Sequence, residues 1–69
     1  MPLVIAPLNK DMKVIKILAD EKTKKHLESL GITINATIKV LSSQGNIIVG
    51  LKEGRLALDS TLATKIIVA

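Results

Sequence analysis

The sequence predicts an all-β protein, a small five-stranded barrel with one short helix after the first strand. Short segments rich in Ile, Val and Leu follow one another between turn residues, and only one segment has a helical period. Of the 69 residues 48% are hydrophobic, with no cysteine and no aromatic ring, so an aliphatic core must supply the stability. We expect a single domain over residues 1–69.

The first predicted strand runs from Met12 to Leu18, where β-branched residues are frequent. Its apolar positions change parity between Val14 and Ile15, whereas the side chains of a regular strand alternate between its two faces. We therefore predict a bend or a β-bulge at this point.

The one segment with a helical pattern extends from Asp20 to Gly31. Asp20 is placed to cap the N-terminus of the helix and Gly31 to end it. Thr23, Leu27 and Leu30 follow the spacing i, i+4 and i+7 and make a narrow apolar stripe. The sequence thus predicts a short helix that packs on the sheet through this stripe, with its lysines facing away.

The second half of the chain predicts a meander of strands. Alternating apolar positions mark strands around 38–40, 47–51 and 56–58, with a turn at 42–45 and a two-residue connection at Glu53-Gly54. A helical turn capped by Asp59 or Ser60 and a last strand at 66–68 complete the chain. Because an open sheet of this size would leave a face and its edges exposed, we predict closure into an SH3-like barrel.

A set of short motifs extends along nearly the whole chain. They are Leu27-Glu28-Ser29-Leu30-Gly31-Ile32-Thr33, Ile38-Lys39-Val40-Leu41, Gly54-Arg55-Leu56-Ala57-Leu58, Ala63 and Ile66-Ile67-Val68. In order and spacing these motifs resemble those of the FeoA family. Two positions depart from the family pattern, because Asp11 and Asn35 stand where its members usually have glycine. Asn and Asp accept a positive φ more readily than other residues, so we expect both turns to survive.

The resemblance implies a cytosolic SH3-like domain that is no enzyme and needs no cofactor. The implied partner is the FeoB-type ferrous iron permease, contacted at its cytoplasmic GTP-hydrolysing region. The domain also resembles the C-terminal module of metal-dependent transcriptional repressors. A small metal-regulatory module is therefore the alternative function.

The residues themselves give little support to a catalytic or metal site. His26 is the only histidine and there is no cysteine, so a nucleophile with its own base or a convergent set of metal ligands is not predicted. Ser29 lies three residues from His26, a spacing that arises freely by chance. We predict no catalytic and no metal-ligating residue, and leave open a weak contact between exposed carboxylates and a transition metal.

The net charge of +4 comes from nine lysines and Arg55 against six acidic residues. Such a charge is compatible with phosphate contact, and a weak nucleic-acid-binding barrel is a further alternative. No nucleic acid is expected as partner, however, because the chain has no aromatic ring on which bases could stack. The apolar run from Leu3 to Ala6 is too short for a signal or a membrane span, so we expect a cytoplasmic protein without membrane insertion.

Arg55 is the one residue that we predict to bind the partner. It begins a predicted strand beside the Glu53-Gly54 connection, and a guanidinium can bind a carboxylate or a phosphate through two parallel hydrogen bonds. The alternative role for Arg55 is a structural ion pair with Glu53 or Asp59.

Overall fold

The computed structural model describes residues 1–69. Its elements are, in order, a 3-10 turn (Leu3–Ile5), β1 (Asp11–Ile17), α1 (Glu21–Ser29), β2 (Thr37–Ser42), β3 (Ile47–Leu51), β4 (Gly54–Leu58), α2 (Ser60–Ala63) and β5 (Ile66–Val68). The five strands form one antiparallel sheet in the order β4-β3-β2-β1-β5. Neither helix has the length and apolar character that a membrane crossing requires.

The prediction of a closed barrel is wrong, because β4 and β5 are the two ends of the sheet and no ladder joins them. The side of β5 that would have to meet β4 is occupied by the start of the chain. The N-terminal amine of Met1 donates to the Val68 carbonyl at 2.7 Å, the Val68 N–H donates to the Met1 carbonyl at 2.7 Å, and Pro2 forms a bridge with Ile67. Residues 1–2 therefore occupy the edge of β5 with which β4 would pair in a closed barrel.

β1 takes part in two ladders and changes direction between them. Its first residues pair with β2 and its last residues with β5, and the register of the second ladder shifts between Val14 and Lys16. This shift confirms the irregularity predicted from the parity change at Ile15, which is left without a partner and is 48% exposed. The bulge turns the second half of β1 toward β5.

One hydrophobic core lies under the sheet, and all 14 of its buried residues are apolar. Every strand contributes to it, α1 adds Leu27, and the 3-10 turn adds Leu3, both fully buried. Asp20 caps α1 by accepting a hydrogen bond from the Thr23 N–H at 2.8 Å. Asp59, rather than Ser60, caps α2 by accepting one from the Leu62 N–H at 2.7 Å.

Two of the predicted turns differ in detail. The connection between β3 and β4 consists of Lys52 and Glu53, because Gly54 already pairs with Leu51 in the ladder. Asn35 has φ 71°, as predicted for a position where a glycine is expected. Asp11 does not have a positive φ, since it is the first residue of β1, and Asn9 with φ 60° makes the preceding turn instead.

Candidate functional site

Arg55 is exposed on the solvent side of the sheet. It is the second residue of β4, where Leu56 is half-buried and Leu58 is buried against the core. Because side chains alternate along a strand, Arg55 and Ala57 lie on the opposite face, together with the exposed or half-buried residues of β1, β2 and β3. We call this solvent side of β1–β4 the outer face.

A row of four residues crosses the outer face at the level of Arg55. The strand register pairs Asp11 with Lys39, Lys39 with Gly50, and Gly50 with Arg55. Lys39 Nζ lies 3.6 Å from Asp11 Oδ1, so the carboxylate at the far end of the row already has a cationic partner. Arg55 is the last member of the row, at the edge of the sheet.

Gly50 makes a depression in the middle of this row. A Cβ atom at Gly50 would lie 3.3 Å from Cδ1 of Leu41, so a larger residue would push the Leu41 side chain aside. The resulting cleft has a volume of about 490 Å³ and is lined by Asp11, Thr37, Lys39, Leu41 and Lys52, among others. The cleft is thus bordered by two ammonium groups, by the Asp11 carboxylate and by the aliphatic side chains of Ile38, Leu41 and Leu51.

The outer face divides into a cationic and an apolar part. The cationic part consists of Arg55 on β4, Lys52 in the β3–β4 connection, Lys39 on β2 and Lys13 on β1, with Asp11 beside Lys39. The carboxylate of Glu53 lies near the end of α1, with its Oε2 3.4 Å from the place where a Cβ of Gly31 would be, and it forms no ion pair. Leu41, Ile48 and Ala57 form the apolar part. A ligand that matches this face carries negative charge beside apolar groups.

The structural ion pair considered for Arg55 does not form. The structure contains two ion pairs, Lys24 with Glu21 at 3.9 Å and Lys39 with Asp11 at 3.6 Å. Neither involves Arg55, and neither Glu53 nor Asp59 lies within ion-pair distance of it. The guanidinium of Arg55 is consequently open to a carboxylate or phosphate from outside the chain.

The remaining polar candidates have structural roles. Ser29 Oγ donates to the backbone carbonyl of His26 at 2.6 Å, so this hydroxyl is engaged with the backbone of α1. Hydrogen bonds from Thr23, through its side chain and then its backbone, lower the pKa of Asp20, which keeps the capping carboxylate ionised. No three His, Cys, Asp or Glu side chains converge where a metal ion could be held.

The sequence does not reveal that Lys39 and Gly50 lie in one row with Arg55. The alternation of apolar residues shows that Lys39 faces outward, but it does not say which residue of the next strand lies opposite. That information is in the register, which places Gly50 opposite Arg55 and Lys39 opposite Gly50.

Comparison with known proteins gives one family. The family model of the FeoA domain matches residues 1–69. A crystal structure of an iron uptake regulatory protein (FeoA) has a TM-score of 0.89 and 34% identity, covering 99% of this chain and 92% of that chain. The solution structure of the FeoA protein from Chlorobium tepidum has a TM-score of 0.87 and 24% identity, covering 99% of this chain and 68% of that one. No curated protein sequence matches the chain.

A manganese-dependent transcriptional repressor in complex with manganese is similar to this chain as well. The TM-score is 0.88 at 26% identity, and the match covers all of this chain (100%) but 35% of the repressor. The chain is thus similar to about a third of that protein. Since the family model covers the full 69 residues and the FeoA crystal structure matches at 34% identity, this chain belongs to the FeoA domain family, which is related to ferrous iron transport and to domains of metal-dependent repressors.

Proposed function

We propose that this protein is a non-enzymatic accessory protein of ferrous iron transport that binds the cytoplasmic GTP-hydrolysing region of a FeoB-type permease. The observation that carries the proposal is Arg55, an exposed guanidinium without a carboxylate partner at the edge of the cationic part of the outer face. Family membership supports the link to iron transport. The partner region is cytoplasmic, so we place the protein in the cytoplasm.

The chemistry of the outer face suits binding to a protein surface. It combines long cationic side chains with Leu41 and Ile48, and protein interfaces commonly join apolar contacts with a few charged anchors. Arginine is over-represented among the residues that dominate interface energetics, because it forms paired hydrogen bonds to carboxylates and stacks on flat groups.

An amide NMR titration with the GTP-hydrolysing domain of the cognate permease, loaded with GDP or with a GTP analogue, tests the proposal. We expect contiguous shifts over the outer face and the β3–β4 hairpin. The variant Arg55→Glu should weaken binding about tenfold or more, because it replaces an attraction by a repulsion. Lys22→Glu is the matched control, since it makes the same charge change on an exposed residue in the first turn of α1.

Shifts absent in both nucleotide states would contradict direct contact with this domain. Equal weakening by Arg55→Glu and Lys22→Glu would show that only the net charge of the protein matters. In that case Arg55 would not be the anchor of the interface.

A second candidate function is a metal-regulatory module, which the match of the whole chain to part of a manganese-dependent repressor favours. It predicts that Mn²⁺ broadens amide resonances around one set of carboxylates, since Mn²⁺ prefers oxygen ligands and relaxes nearby nuclei. Broadening spread evenly over all acidic residues would speak against this function and leave the permease proposal in place.

A further inference from the structure

We propose that the free edge of β4 accepts an extended acidic segment of a partner protein as an additional strand, with a carboxylate opposite Arg55. The inference rests on the proposed function for the identity of the partner. It adds the chemistry of the segment and the way in which it binds. The peptide experiment below does not involve the permease, so the two proposals can fail separately.

The two ends of the sheet are treated differently by the chain itself. The outer edge of β5 is covered, because Met1 exchanges two backbone hydrogen bonds of 2.7 Å with Val68 and Pro2 bridges to Ile67. β4 is the other end of the sheet, and no segment pairs with its outer side. Of the two ends of the sheet, only the edge of β4 is therefore open to a new strand.

The backbone groups on that edge can be identified from the hairpin. A two-residue connection is closed by a hydrogen-bonded pair, here Leu51 with Gly54, and bonded and non-bonded pairs then alternate along the ladder. Leu56 consequently bonds to β3, whereas the N–H and C=O groups of Arg55 and Ala57 point away from it. No other backbone hydrogen bond of the molecule uses these groups.

β4 lacks the proline, lysine and β-bulge that often protect an edge strand, and Arg55 is its one charged residue. Its five residues pair with β3 without a register shift. Arg55 and Ala57 are both exposed. A regular, uncovered edge of this kind is the surface to which extended peptides add through main-chain hydrogen bonds.

The charge of the surrounding surface determines what kind of segment fits. A residue placed opposite Arg55 would lie on the outer face, where side chains across neighbouring strands approach to about 5 Å between Cβ atoms. There it would meet Arg55, and Lys52 lies in the adjoining connection between β3 and β4. The carboxylate in this row, Asp11, is three strands away and already paired with Lys39. A carboxylate is thus favoured opposite Arg55.

The inner side of the same edge favours an apolar residue. Between the end of α1 and the β3–β4 hairpin lies a cleft of about 280 Å³, where the side chains of Leu30, Leu51 and Leu56 are bordered by Ser29, Glu53, Gly54 and Arg55. Successive residues of an added strand face opposite sides, so every second side chain would point toward this cleft. The preferred segment therefore alternates acidic and apolar residues.

A second copy of this chain fits the edge less well. Pairing β4 with β4 would bring two Arg55 side chains close together, and like charges on neighbouring strands are destabilising. Each copy also carries a net charge of +4, which opposes association. The observed charges thus select an acidic partner over self-association.

The test uses a synthetic nonapeptide that alternates Glu and Val, blocked at both ends, and a matched peptide that alternates Lys and Val. In low salt, the Glu peptide should slow amide hydrogen exchange of Arg55 and Ala57 at least severalfold, because their free N–H groups become hydrogen-bonded. The Lys peptide should leave both exchange rates unchanged. Arg55→Glu should reverse this preference between the two peptides.

Ala57→Pro tests the main-chain bonds separately from the charge. Proline removes the outward N–H of Ala57 without removing a bond to β3, so binding of the Glu peptide should be lost while the fold is kept. Ala57→Val is the matched control and should bind like the wild type. If Ala57→Pro does not fold, the wild-type protein is tested instead with a Glu peptide in which every second residue is N-methylated. Methylation of the N–H groups that face β4 should abolish the protection of the Arg55 and Ala57 amides from exchange.

Several results would overturn the proposal. The first three concern the peptides: equal protection of the Arg55 and Ala57 amides by the Lys peptide, amide shifts confined to surfaces other than β4, or unchanged binding after N-methylation of the Glu peptide. The other two are dimerisation of the wild type through β4, and protection of these amides by an oligothymidylate but not by the Glu peptide. Binding of the Glu peptide at β4 by a protein that does not bind the permease domain would refute the proposed function and leave this inference intact.

Discussion

Asn35 has a backbone conformation that few residues adopt without strain. Its φ is 71°, in the turn before β2, and its N–H donates to the Val14 carbonyl at 2.7 Å. Asparagine is tolerated there because its short polar side chain can bond locally, whereas other side chains crowd the following carbonyl. The turn is thus compatible with asparagine or glycine but not with most other residues.

We expect Asn35→Ala to destabilise the protein by about 1 kcal/mol, since an alanine in the left-handed region is strained. Asn35→Gly should be close to neutral and serves as the control. Urea unfolding of both variants measures the difference. Equal stability of the alanine and glycine variants would show that the conformation of this turn is not what limits the residue.

Asp20 couples the stability of the protein to pH. Hydrogen bonds from Thr23 lower its pKa below the ordinary value of 3.8, so the folded state binds this proton less readily than the unfolded chain does. The stabilising contribution is therefore present above about pH 4 and is lost as the pH falls through the lower, folded-state pKa.

Asp20→Asn keeps a capping side chain but cannot ionise. We expect the melting temperature of this variant to depend less on pH than that of the wild type between about pH 5 and pH 2, with the two converging at the acid end. Thermal unfolding followed by circular dichroism at several pH values gives both profiles. Parallel profiles would contradict a role for the Asp20 charge.

At the level of elements, α1 is attached to the sheet by a narrow contact. Leu27 is the only fully buried residue of the helix, while Thr23 is half-buried and the C-cap residue Leu30 is half-buried. A helix of nine residues is too short to be stable by itself in water, so its formation depends on this packing. Leu27 is thus the residue that couples α1 to the core.

Leu27→Ala should cost about 2–5 kcal/mol, because it removes a fully buried side chain and leaves a cavity. Lys25→Ala, an exposed position two residues earlier on the same helix, should change stability by about 0.5 kcal/mol or less. Chemical denaturation compares them. A small effect of Leu27→Ala would mean that the sheet folds without the helix.

The strands show which of their features the alternation of apolar residues can predict. The parity change at Ile15 predicts the bulge of β1 correctly, because a break in alternation is a local property of one strand. The sequence places the β3–β4 connection at Glu53-Gly54, one residue too late. Glycine is common in turns, but Gly54 belongs to the ladder and pairs with Leu51. A one-residue error of this kind would also shift which groups of β4 face the open edge.

At the level of the whole molecule, the N-terminal segment holds the sheet together at one end. Leu3 is fully buried beneath the segment that covers β5, whereas Ile5, two residues further, is 68% exposed. The chain start and β5 are joined by contacts between residues 67 positions apart. The segment is thus part of the core and closes one edge.

We expect Leu3→Ala to destabilise the protein by about 2–5 kcal/mol, as much as a substitution in a central strand. Ile5→Ala should have an effect of about 0.5 kcal/mol or less, because its side chain is mostly in water. Denaturant midpoints and hydrogen exchange of β5 amides measure both. If Leu3→Ala left the β5 amides protected, the segment would not be needed to hold that edge.

The features that depend on neighbours along the chain follow from the amino-acid sequence alone. These are the aliphatic strands, the bulge at Ile15, the capping carboxylates of Asp20 and Asp59, the tolerance of Asn35 for positive φ, and the family. Each follows from local periodicity, from the conformational preference of one residue, or from the order of short motifs. Arg55 was singled out in the same way, from its place beside a predicted turn.

Three further features become visible only in three dimensions: the sheet is open, Met1 and Pro2 cover β5, and Arg55 lies without an ion-pair partner at the uncovered edge. The same is true of the row that Gly50 and Lys39 form with Arg55 across the strands. The pairing of edge strands and the strand register depend on contacts between residues far apart in the chain. The alternation of apolar and polar residues is compatible with more than one register and with either an open or a closed sheet. The physical reason is that periodicity specifies the face on which a side chain lies but not its neighbour across the strands.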